Sequence, residues 1–171
     1  TLSGTSFVVS LPYAGAPSEV AFAFTSPVDV EASDTITLVL PTYSFGDATL
    51  SGVSISACGS TTWTAAGSND GTATAQLVLT AGTATLSAST ACTITIAADA
   101  NGVMAASGAL PANDATVTAG VTLAKATDIA AAAINASTAI VATALSSTSF
   151  TVSNPYAGAP SEVAFAFTSN V

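Results

Sequence analysis

Histidine and arginine are missing from this 171-residue chain, and lysine occurs once, at Lys125. Without His, no Ser/His or Cys/His pair can activate a nucleophile, so the common routes of covalent catalysis are closed. Ten acids against one base leave a formal charge of −9. Nucleic-acid binding needs Lys and Arg to displace counterions from phosphates, so nucleic acid is not an expected partner. Attraction to an anionic membrane surface fails for the same reason. Long apolar runs are also lacking. The run Ile129–Ile134 is mostly Ala, far short of the roughly 18 residues of a membrane-spanning helix, so no membrane insertion is expected. There is no basic leader region, and any secretion signal is expected outside these residues.

Cysteine is scarce too. Cys58 and Cys92 make one pair, and two Cys without His cannot build a zinc site. They are either disulfide-bonded or two small buried thiols. The hydroxyl-rich, almost Lys-free composition points to an extracellular setting, which favours the disulfide. Charged residues total only 6%, against about 25% in an ordinary domain. Ser and Thr supply more than a quarter of the chain instead. Water must be held by these hydroxyls or by sugar attached to them. Asn135-Ala136-Ser137 is an N-glycosylation sequon, and attached glycans are an expected part of the molecule.

What is present is a period of two, the mark of strands. Ile36, Leu38 and Leu40 alternate with Thr35, Thr37 and Val39; Leu77 and Leu79 alternate with Gln76 and Val78; Ile94 and Ile96 alternate with Thr93 and Thr95. Val117, Val121 and Leu123 share a parity opposite Thr116, Thr118 and Thr122. In "ATLSGVSIS" the phase slips at Ser51-Gly52, which reads as a bulge. Turn signals ("SFGDA", "GSNDGT", "TAGT", "ADANG", "LPAND") separate the runs. The Ala-rich stretch from Thr127 reads as extended or irregular, with a short helix over Ile129–Ala136 as the alternative. Short strands at this spacing predict an all-β chain, an antiparallel Ig-like β-sandwich.

The chain also repeats itself. Residues 1–28 align without a gap to residues 144–171, an offset of 143. Only Thr1/Ala144, Gly4/Ser147, Val8/Thr151, Leu11/Asn154 and Pro27/Asn170 differ, leaving 23 of 28 identical. Phe7 and Val9 are kept as Phe150 and Val152, whereas Val8, on the opposite face, is not kept. Val20, Phe22 and Phe24 carry the large side chains of the next strand. A lone strand pair cannot bury such a face, and is not independently stable. The expected organisation is therefore one repeat period over residues 1–143, followed by the first strands of the next over 144–171. The expected partners are neighbouring copies of the same module. The alternative is a donor-strand segment that completes a sheet in a neighbouring module.

The residues leave little chemistry. Most acids fall in turns or at strand starts, where Asp is ordinary, and no enzyme is expected. Calcium is the best-motivated cofactor, with Asp29, Glu31 and Asp34 clustered between two strands and Asp70, Asp99 and Asp114 in turns. No spacing matches a set calcium loop, and the plainer reading is solvated turn acids. T-x-T pairs such as Thr35/Thr37, Thr72/Thr74, Thr83/Thr85, Thr93/Thr95 and Thr116/Thr118 suggest Thr-lined sheet faces. These resemble the ice-contacting faces of some antifreeze proteins, although their spacing along the chain is irregular.

The stretch "GAPSEVAFAFTSPVDVEASDTITLVLPTYSF" resembles the head of β-sandwich repeats in very large cell-surface and filament proteins of algae and other protists. Bacterial Ig-like stalk repeats are similar in composition. Trp63 lies five residues after Cys58, a departure from the antibody-type spacing of Cys, Trp and Cys. The resemblance implies an extracellular structural or adhesive role and carries no active-site residues. The function expected is a structural repeat of a filament, surface hair or stalk. The alternative is a surface adhesin that binds glycan or ice through its Thr-rich faces.

Overall fold

The computed structural model describes residues 1–46, 49–98, 103–143, 145–153 and 162–169. It separates into two compact units, Thr1–Val141 and Ala142–Val171. The first is a β-sandwich of two packed sheets.

One sheet holds β1 (Ser3–Val9), β2 (Val20–Thr25), β5 (Val53–Ser56), β8 (Ala91–Ile96) and β11 (Ala136–Ser137), in the order β11-β1-β2-β8-β5. The other holds β3 (Thr35–Val39), β4 (Thr49–Leu50), β6 (Trp63–Ser68), β7 (Gln76–Ala81), β9 (Thr118–Thr122) and β10 (Ile129–Ala133), in the order β10-β9-β3-β7-β6-β4. β-Branched residues and the two-residue period drive these strands, and the pleat turns alternate side chains inward. Phe7, Phe22, Phe24, Ile94 and Ile96 enter the core from one sheet, and Ile36, Leu38, Leu77, Leu79 and Val121 from the other. Aromatic contacts tie the first sheet to β6 of the second and to the segment after β3. Phe24 meets Trp63 edge-on at 5.9 Å, and Phe7 meets Tyr43 edge-on at 5.6 Å. Such pairs add roughly 0.5–1.5 kcal/mol beyond the area they bury.

Three details differ from the sequence reading. The slip at Ser51-Gly52 is not a bulge within one strand: β4 and β5 lie in different sheets, and the chain crosses between them there. Gly52 has φ +65° at the crossing, a conformation open to Gly at little cost. Phe45, placed by its neighbours in a turn, is a fully buried core residue. Among the described strand pairs, one is parallel: β11 runs alongside β1 with Ser6 opposite Ala136 and Phe7 opposite Ser137. The Ala-rich stretch is extended, and Ile129–Ala133 forms β10 against β9. The turn acids Asp47 and Asp99 lie outside the described residues.

The second unit is a two-stranded antiparallel ribbon of β12 (Leu145–Val152) and β13 (Val163–Ser169).

Candidate functional site

Three features of the chain could carry function: an acidic cleft at one end of the sandwich, the outer sheet faces, and the ribbon of the second unit.

The cleft is formed by the β2–β3 and β9–β10 loops. It encloses about 380 Å³ and is lined by Val28, Asp29, Glu31, Asp34, Leu123 and Lys125, among others. Asp34 precedes β3 and is buried; one carboxylate oxygen accepts the Glu31 N–H and the other the Ala124 N–H, both at 2.7 Å. A buried carboxylate needs such donors, because losing water without replacing it costs several kcal/mol. Asp29 accepts the Ala88 N–H at 2.7 Å, tying in the β7–β8 loop. Glu31 pairs with Lys125 at 2.5 Å, near the surface. The hydrogen bond and charge of Glu31, with a smaller contribution from Asp34, raise the Lys125 pKa. The three calcium candidates are therefore engaged separately, Asp34 by two backbone N–H groups, Asp29 by a third and Glu31 by Lys125. Among the described residues, no group of three or more His, Cys, Asp or Glu could hold a metal. These acids fasten loops together.

Asp70 does similar work from the β6–β7 turn. It accepts the Ser44 hydroxyl at 2.6 Å and the Phe45 and Gly46 N–H groups at 2.5 and 2.8 Å. Burial pushes its pKa up, but these three bonds outweigh burial and hold the carboxyl below the usual Asp value. Sequence reasoning placed Asp70 in a turn and missed this role. Its partners lie more than twenty residues upstream, and no local pattern reveals them.

Cys58 and Cys92 are joined in a disulfide, and both are buried. Cys92 lies opposite Phe24 in the β2–β8 register, so the bridge sits beside the aromatic contact that joins the sheets. Asn135 is exposed between β10 and β11. Its N–H donates to the Thr5 hydroxyl at 2.9 Å, and that hydroxyl donates to Asn135 Oδ1 at 3.2 Å.

On the outer face of the larger sheet, register aligns four threonines that are scattered in sequence. Thr35 lies opposite both Thr80 and Thr122, and Thr80 lies opposite Thr64. The row thus runs Thr122–Thr35–Thr80–Thr64, across strands about 4.8 Å apart. The outer face of the other sheet is small and uncharged, with Ala21 and Ala23 opposite Thr95 and Thr93.

The ribbon reproduces the β1–β2 hairpin pair for pair. Ser6/Ala23, Phe7/Phe22, Val8/Ala21 and Val9/Val20 recur as Ser149/Ala166, Phe150/Phe165, Thr151/Ala164 and Val152/Val163. The irregularity between Ser3 and Ser6 recurs between Ser146 and Ser149. The closing bonds recur too: Ser10 N–H to the Glu19 carbonyl and Ser153 N–H to the Glu162 carbonyl. The surroundings differ. Phe7, Val20, Phe22 and Phe24 are fully buried, whereas Phe150, Val163, Phe165 and Phe167 are 54–68% exposed.

No protein-family model matches this chain, and neither a curated protein nor a solved structure matches it.

Proposed function

We propose that this chain is part of a tandem structural repeat of an extracellular filament, cell-surface hair or stalk, in which modules pack end to end. The observation that carries this reading is the paired fate of the two hairpins. In the first unit, β11 and β8 flank the hairpin and the opposite sheet covers its Phe face. The second hairpin forms a two-stranded sheet of its own. A face of several large apolar side chains calls for a partner surface. The fitting partner is the body of a further module, carrying counterparts of β8, β11 and the opposite sheet. The Ig-like character of the module, its extracellular setting and sugar at Asn135 belong to the same reading. The disulfide and the low charge support the setting.

Extending the chain tests this. A copy of residues 27–143 placed after Ser169 completes a second period. Amide exchange over Ser149–Val152 and Val163–Thr168 should then slow to the level of Ser6–Val9 and Val20–Thr25. Unchanged fast exchange after extension would refute the tandem reading.

A second reading is favoured by the row Thr122–Thr35–Thr80–Thr64, which offers a flat line of hydroxyl and methyl groups to glycan or ice. A thermal-hysteresis measurement and a glycan-array screen address it. Activity in either assay that is lost in Thr35→Lys would favour the adhesin.

A further inference from the structure

We infer that the parallel seam between β1 and the closing segment Ala136–Val141 is the mechanical clamp of the module. The inference builds on the tandem reading, because only a chain under tension needs a clamp. The seam extends beyond the two strand pairs. Thr138 N–H donates to the Phe7 carbonyl at 3.0 Å, Val141 N–H to the Pro12 carbonyl at 2.8 Å, and Ala14 N–H to the Val141 carbonyl at 2.9 Å. Side chains add to it. Val9 N–H donates to the Thr138 hydroxyl at 3.2 Å, and Thr5 and Asn135 exchange the two bonds already described. Tyr13 and Val141 form a further parallel bridge. First and last segments are therefore joined from Thr5 to Ala14.

Parallel direction gives this joint its consequence. Both segments run the same way, so β1 starts at one end of the seam and the chain leaves Val141 at the other. Tension applied at Thr1 and beyond Val141 draws the two segments in opposite senses along their own axes. The seam bonds lie across that pull and are loaded together. An antiparallel hairpin pulled at its open end loses its bonds one at a time. β1 is also held on its other edge by β2, so it cannot slide without shearing that pairing as well.

Single-molecule pulling on the full chain tests the clamp. One attachment pair uses the two termini, where the β12–β13 ribbon opens first at low force. The second uses Thr1 and Ala126, which lies in the acidic cleft near Val28. Thr25, close by in the chain, pairs with Ser3, so this geometry peels β1 from its start. Forced unfolding reads the unfolding barrier along the direction pulled, and the terminal geometry should need at least about twofold more force. The double variant T5V/T138V, which loses the hydroxyl bonds, should narrow that ratio. Equal forces in the two wild-type geometries would overturn the clamp, whether or not the variant folds. A folded variant with an unchanged ratio would remove Thr5 and Thr138 from it. The first unit's resistance is measured whether or not further modules follow, so the clamp and the tandem reading can fail separately.

Discussion

Phe22 and Phe165 hold the same place in two matched hairpins, opposite Phe7 and Phe150 respectively, yet Phe22 is 2% exposed and Phe165 57%. Truncating them should have unequal effects. Phe22→Ala opens a hole among well-packed neighbours and should cost about 3–5 kcal/mol. Phe165→Ala removes no comparable packing and should shift stability by less than about 0.5 kcal/mol. Urea titration of the two variants checks this. Equal losses would mean that the second Phe face is covered in solution.

The Cys58–Cys92 bridge closes a loop with a sequence separation of 34. Removing it as C58A/C92A should destabilise the first unit by roughly 3–4 kcal/mol on the chain-entropy model. It should also lengthen the unfolded chain. Thirty-four residues add roughly 110–120 Å of contour at 3.3–3.6 Å each. Pulling with and without reductant reads that increment directly, and identical contour lengths would show that the bond does not form.

Asp34→Ala should leave two N–H groups, of Glu31 and Ala124, without their acceptor, and cost roughly 2 kcal/mol or more. Thermal unfolding of wild type and variant measures the loss. Because the acids at this end already hold backbone donors and Lys125, adding calcium should leave the wild-type melting temperature where it was. A rise on adding calcium that Asp29→Ala or Glu31→Gln abolishes would restore the calcium site.

Asp70 sets an acid dependence whose sign can be worked out. Its folded pKa lies below the ordinary value of 3.8, so the unfolded chain binds the proton more readily. The carboxylate therefore contributes stability above the unfolded pKa, and the contribution is lost as pH falls through the folded one. Urea midpoints should drop between about pH 5 and about pH 2, and Asp70→Asn should flatten part of that drop. An unaltered slope in the variant would assign the acid sensitivity to other groups.

The shaft and adhesin readings differ in what they expect of the Thr row. If the module is purely a shaft, Thr35→Lys on the outer face should leave assembly and stability within about 0.5 kcal/mol of wild type. A larger loss, followed by the same urea titration, would show that the face is covered by something in the assembled protein.

Much of this molecule follows from its residue pattern alone. Alternation assigned Phe7, Val9, Ile36, Leu38, Leu77, Leu79, Ile94 and Ile96 to the inside and left Val8 outside, and each is placed so. The near-identical repeat, in which Phe7 and Val9 are kept while outward-facing Val8 changes, marks the second hairpin from the sequence alone. A two-residue period, however, says which face a side chain takes and nothing about which strand lies beside it. Only the tertiary structure decided that Ser51-Gly52 is a crossing between sheets, that Ala136–Ser137 returns parallel to β1, and that four distant threonines form one row. The same holds for the acids. Asp29 and Asp34 look like ordinary turn residues in sequence, because the N–H groups they hold, at Ala88 and Ala124, arrive from 59 and 90 residues away. Local patterns reflect the free energy of burying one face of one strand. Neighbours, register and loop fastenings depend on contacts between segments far apart in the chain, and those exist only once the sheets have closed on each other.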